Sequence, residues 1–229
     1  MRCKLAAPAA GHSARTSIRT RCLLAVLLAT NLAIAAVPAI SAESGPGWTG
    51  SDRIAIVQPP KPIADFELAD QDGKPFRFSQ LRNRPVLVYF GFTHCPDVCP
   101  ATLAKLRALN ATADQKIRDV AVVMISVDGD RDNPATMKTY LAQMSPQFIG
   151  LTGDPRAVRG IAAQFPAVFF KGLPDRQGGE YLVEHTSQVY LIDRHGRLCA
   201  VFSDAPIGAM RQALHTLADE PAGENASSR

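Results

Sequence analysis

Cys95 and Cys99 are the side chains here whose type and spacing can do chemistry, in Phe92-Thr-His-Cys-Pro-Asp-Val-Cys-Pro100. Two thiols this close in sequence can form a disulfide or share a soft metal ion. Pro96 and Pro100 bias the residues before them to extended backbone. The segment therefore reads as a surface loop, with Pro100 as the first helical residue and Cys99 beside the helix N-terminus. There the unsatisfied N–H groups favour thiolate, so two exposed thiols of low pKa are expected. Three residues separate the pair, whereas thioredoxin-type exchangers use two. Structural zinc sites usually take four ligands, and only two thiols are on offer. Two thiolates and one imidazole suit copper, which takes soft sulfur readily as Cu(I).

The other cysteines do not compete. Cys3 and Cys22 fall near the N-terminus, and Cys199, between Leu198 and Ala200, reads as core. The imidazole has fewer clear markers. His12 lies near the N-terminus, His195 in a turn and His215 at the end of a helix. His94 adjoins Cys95, and neighbours after a strand tend to point in opposite directions. His185, in Tyr181-Leu-Val-Glu-His-Thr-Ser-Gln188, is the candidate, although a lone His before a strand is more often structural.

The elements that must position these residues follow from periodicity. Val86–Phe92 and Val120–Val127 are nearly continuous apolar runs, typical of strands buried on both faces. Phe66–Leu68 and Pro75–Phe78 flank Asp72-Gly73 as a hairpin, and Ser79 can cap a short helical turn. Helices are expected after Pro100, from Asn133-Pro134 towards Met144, over Asp154–Gln164, and from about Pro206 to Leu217. Phe148–Leu151, Val168–Phe170, Gln188–Asp193 and Leu198–Phe202 read as further strands, the last two joined at Arg194-His-Gly-Arg197. Strands alternating with helices predict an α/β domain with a mixed sheet over about 63–218.

Composition sets the outer limits. The chain has 229 residues, 46% hydrophobic and 20% charged, which excludes disordered and disulfide-dense classes. Its net charge of +4 is uneven: residues 1–42 hold five basic residues and no acid, leaving 20 basic against 21 acidic. The domain therefore lacks a nucleic-acid footprint. Residues 1–42 read as an export segment, with an apolar stretch from Cys22 to Val37 and small residues at Ala39 and Ala42. That stretch fits a cleaved signal peptide or an uncleaved membrane anchor. An Arg-rich, acid-free start also fits a mitochondrial transit peptide. The expected setting is outside the cytosol: the periplasm, the inner membrane facing it, or the mitochondrial inner membrane. Residues 43–62, with Gln58-Pro-Pro-Lys-Pro62, read as a linker, and 219–229 as a flexible tail.

With these motifs in view, the chain resembles the Sco/SenC family of copper chaperones for cytochrome c oxidase assembly. The likeness runs from about Ile63 to Leu217. It rests on Phe92–Pro100, on Ser126-Val-Asp-Gly-Asp-Arg-Asp-Asn-Pro134, on Phe148-Ile-Gly-Leu-Thr-Gly153, and on Tyr181–Thr186 running into Tyr190-Leu-Ile-Asp193. Gly129, Asn133 and Glu184 depart from its usual pattern. The resemblance implies a thioredoxin-like fold with an N-terminal β-hairpin. It also implies one copper ion, as Cu(I) or Cu(II), on Cys95, Cys99 and His185, with Cys95 and Cys99 able to form a redox-active disulfide. The implied partners are the copper-bearing subunit of cytochrome c oxidase and other copper or thiol-redox proteins. The membrane joins them if the N-terminal segment stays attached.

A thiol-disulfide oxidoreductase or thiol peroxidase is the rival, with Cys95 attacking and Cys99 resolving. Thioredoxin-type exchangers carry a cis-proline opposite the thiols, but Glu184–Asp193 holds no proline and offers His185 instead. A peroxidase needs an activating neighbour, and only Thr93 is near in sequence.

Overall fold

The computed structural model describes residues 47–49, 53–112, 114–172 and 181–218. Strands β1 (Gly47–Thr49) and β2 (Ile54–Pro62) come first. The hairpin β3 (Glu67–Asp70) and β4 (Pro75–Arg77) follows, then a 3-10 turn at Phe78–Leu81. Next come β5 (Val86–Gly91), α1 (Val98–Asn110), a short α2 (Gln115–Arg118) and β6 (Ala121–Ser126). The alternation continues through α3 (Pro134–Met144), β7 (Ile149–Thr152) and α4 (Pro155–Ala162). After β8 (Phe169–Lys171) and β9 (Val183–His185), the domain closes with β10 (Val189–Ile192), β11 (Arg197–Phe202) and α5 (Ile207–Leu217).

The main sheet runs β1-β2-β11-β10-β5-β6-β7-β3-β4. β5, β6 and β7 are parallel, and their neighbours are antiparallel. All six residues of β5 and all six of β6 are buried, because helices cover both faces of a parallel core. Side chains alternate along β5. Phe90 packs edge-on to Phe165 at 5.3 Å and to Tyr190 at 5.8 Å, while Tyr89 turns the other way, towards α1. The helix starts are capped as their sequences demand: Asn133 accepts the Thr136 N–H at 3.0 Å, and Asp154 accepts that of Arg156 at 2.9 Å. This is the expected α/β, thioredoxin-like mixed sheet with an N-terminal hairpin.

Three expectations change. The linker expected over 43–62 includes strand β2, paired along β11 with Ala200 opposite Ile56 and Phe202 opposite Ile54. Burying Val57 and covering the edge of β11 outweigh the proline content. Pro59, Pro60 and Pro62 lie past the stretch that pairs with β1, so their missing N–H groups break no ladder on that side. Phe169–Lys171 is a strand, but it pairs with β9 in a separate two-stranded ribbon rather than joining the main sheet. Third, α1 starts at Val98, with Pro100 third in the helix rather than first. The first turn needs no N–H from its residues, so proline fits there. The export segment at 1–42 and the tail at 219–229 lie outside the described residues. Among the described residues no helix is long and apolar enough to cross a membrane.

Candidate metal centre

β5 delivers the chain to the loop 92–97, and α1 takes it away, so Cys95 and Cys99 sit above the C-terminal end of a central strand. That is where open α/β sheets place ligands. The loop is fixed from below. Asp132, fully buried, accepts the Thr93 N–H at 2.9 Å and the Thr93 hydroxyl at 2.6 Å, and also the Ser126 hydroxyl at 2.7 Å. Asp97 precedes α1 without a side-chain cap bond. The Cys99 N–H instead donates to Cys95 Sγ at 3.4 Å, so a sulfur takes up one orphan donor of the first turn.

The two thiols are unlike each other. Cys95 is half-buried, whereas Cys99 is fully buried, which corrects the expectation of two exposed thiols. Burial pushes the Cys99 thiol up to about 12 despite donation to its sulfur from Tyr89 and the Phe92 N–H. The helix N-terminus does not lower it, because desolvation of a thiolate outweighs a partial dipole.

His185 arrives from β9, on the other side of the site. Its Nδ1 lies 3.0 Å from the Thr186 carbonyl, which can only accept, so Nδ1 carries the proton. Nε2 is thereby left with a lone pair, 3.4 Å from Cys99 Sγ. Burial lowers the His185 pKa and keeps the ring neutral, with backbone contacts at Thr186 and Phe90 opposing the shift. Phe92 and Tyr89 stand edge-on to the ring at centroid distances of 5.5 and 6.1 Å. The ligand atoms of Cys95, Cys99 and His185 all lie within 4.8 Å of one another. Two sulfurs and a neutral imidazole nitrogen at that spacing form a soft donor set open to one metal ion.

His94, His215 and Cys199 go elsewhere. His94 is exposed and turns to Asp132, Nδ1 to Oδ1 3.4 Å. His215 Nε2 meets Asp114 Oδ2 at 2.6 Å. Cys199 is buried in β11, its S–H donating to the Leu191 carbonyl at 3.4 Å.

His94, Asp128 and Asp132 form a second cluster, but its carboxylates are already engaged. Asp128 accepts from Arg131 Nε and from the Tyr181 hydroxyl, both at 2.5 Å. Arg131 also stacks on the Tyr181 ring, 3.8 Å from its centroid, which ties the chain leading into β9 to the loop after β6. Asp128, Arg131 and Asp132 belong to a motif that sequence reasoning quoted without giving it a role. The charged run Asp128-Gly-Asp-Arg-Asp132, directly after a buried apolar strand, was the signal available.

A family model described as SCO1/SenC matches residues 56–219, most of the described domain. The chain belongs to the SCO1/SenC family. An SCO2-like protein of Rickettsia felis is 38% identical over 133 residues, which cover 58% of this chain and 65% of that one. The mitochondrial SCO2 homolog of Mus musculus is 34% identical over 191 residues, 81% of this chain and 73% of that one. Among solved structures, Bradyrhizobium japonicum ScoI with copper bound superposes with a TM-score of 0.58 at 34% identity. That match covers 67% of this chain and 98% of that one.

Proposed function

We propose that this protein is a copper metallochaperone that carries one copper ion on Cys95, Cys99 and His185 and delivers it to a copper site of cytochrome c oxidase. It acts as a binding protein rather than as an enzyme. The observation that carries this reading is the convergence of two sulfurs and an unprotonated imidazole nitrogen within 4.8 Å. The copper bound by the Bradyrhizobium relative supports the choice of metal. Transfer proceeds by ligand exchange, with thiolates of donor and acceptor shared in passing. Cys95 is the less buried of the two cysteines, so an incoming ligand meets it first, and Cys99 with His185 holds the ion until the exchange completes. The ribbon that carries His185 also exposes Val168 and Phe170, apolar surface suited to a protein acceptor.

The ligands must be reduced, so a Cys95–Cys99 disulfide closes the site and thiol redox gates loading. The domain works outside the cytosol, released or tethered according to the fate of residues 1–42.

Anaerobic titration of the full chain with Cu(I) tests this directly. One tightly held equivalent is expected, lost after diamide oxidation. In His185→Ala, Cu(II) should fall far more than Cu(I), because two thiolates alone still hold Cu(I). Disulfide reductase turnover with a copper affinity indifferent to His185 would favour the thiol-exchange reading instead.

A further inference from the structure

Cys99 Sγ is screened from water, and one phenol hydroxyl is directed at it. Tyr89 on β5 is fully buried and donates its O–H to Cys99 Sγ at 3.3 Å. Thr102, one turn along α1, also lies near the phenol, whose hydrogen bond goes to the sulfur. Gly91, two residues on and on the same strand face, makes room for this arrangement. A Cβ there would stand 2.6 Å from the Tyr89 ring and 3.1 Å from Cys99 Sγ. A phenylalanine would fill the ring space equally well, so packing alone does not explain the hydroxyl.

We propose that Tyr89 is a positioning residue of the copper site, whose hydroxyl orients the Cys99 sulfur and sets the balance between Cu(I) and Cu(II). The inference rests on the ligand set proposed above. In the empty protein the Cys99 S–H can donate to His185 Nε2 across 3.4 Å. Copper takes the place of that proton, which leaves to water as the Cu–S bond forms. The Tyr89 bond uses a different sulfur lone pair and persists, now to a thiolate, where it is charge-assisted. A donor on a ligating sulfur withdraws charge from it and shifts the metal's redox preference. Cu(II) depends on that charge more than Cu(I), so the hydroxyl favours Cu(I).

The test compares the full chain with Tyr89→Phe and with a chain carrying 3-fluorotyrosine at position 89, a stronger donor of nearly the same shape. Each is loaded with Cu(II) to record the thiolate-to-copper charge-transfer band, and titrated with Cu(I) and Cu(II) against competing chelators. Tyr89→Phe should move the band to longer wavelength and lower the Cu(I)/Cu(II) affinity ratio about tenfold. For a one-electron couple that is about 59 mV. The fluorotyrosine chain should move both in the opposite direction. A band and a ratio unchanged in both variants would overturn the inference while leaving the ligand set intact. A parent chain that takes up no copper would overturn both. Should Tyr89→Phe fail to fold, the fluorotyrosine chain decides alone.

Discussion

At Cys99 a substitution meets the core, whereas at Cys95 it meets solvent on one side. Both Cys→Ser variants should lose copper, but only Cys99→Ser should lose stability. Placing a hydroxyl in that buried position costs about 1–2 kcal/mol, against less than about 0.5 kcal/mol for Cys95→Ser. Urea unfolding of the two variants checks this, and equal midpoints would contradict the burial difference. Gly91→Ala forces a methyl towards the Tyr89 ring and Cys99 Sγ. Overpacking there should cost about 1–3 kcal/mol and weaken copper binding as the sulfur is displaced. The cysteines were legible because two thiols between prolines have few other uses. Their difference in burial was not, because it depends on where α1 starts, and proline tolerates any place in the first turn. His185 was reached by elimination among the histidines and took its weight from the family resemblance, since a single histidine before a strand has no local signature.

The elements that hold the site are the Cys loop, the loop after β6 and the β8–β9 ribbon. Arg131 joins the last two by pairing with Asp128 and stacking on Tyr181. Arg131→Ala leaves the buried Asp128 carboxylate without its charged partner, with only the Tyr181 hydroxyl still donating to it, a loss of about 3 kcal/mol. It should also raise amide hydrogen exchange in Val183–His185 and weaken copper binding, with Cys95 and Cys99 untouched. Exchange in β9 that matches the parent would show that the clamp does not hold the ribbon. At the hairpin end, Asp65 accepts from the Ser79 N–H and hydroxyl, both at 2.8 Å, and fixes the 3-10 turn. Burial works against its charge, but those bonds prevail and hold its carboxyl below the usual 3.8. A depressed carboxylate stabilises the fold above its unfolded pKa, and that support goes as pH falls through the folded value. Asp65→Asn should therefore lower the melting temperature at pH 7, and that difference should shrink as pH falls through the folded value. Strands and helices of the central sheet could be placed from apolar runs and caps alone. The ribbon could not be assigned to its own sheet, because pairing partners twelve or more residues apart leave no periodic trace.

At the scale of the whole molecule, β2 makes the N-terminal region part of the sheet. A chain beginning at Ile63 would bare the edge of β11 and the apolar positions that Val57 covers. Such a chain should self-associate on gel filtration, whereas one beginning at Ser44 should run as a discrete species. Proline-rich composition hid β2 from sequence reasoning, since pairing along one side is a tertiary fact. The ligand set has its own large-scale meaning. Cys99 belongs to the helix that follows the central strand, and His185, 86 residues later in the chain, belongs to a ribbon outside the main sheet. On the ligand set proposed above, a single ion held by both would be a removable cross-link across a long loop, fastening the smaller piece to the larger. Giving up the cargo therefore undoes the fastening, so that the empty carrier differs from the full one in how firmly its ribbon is held.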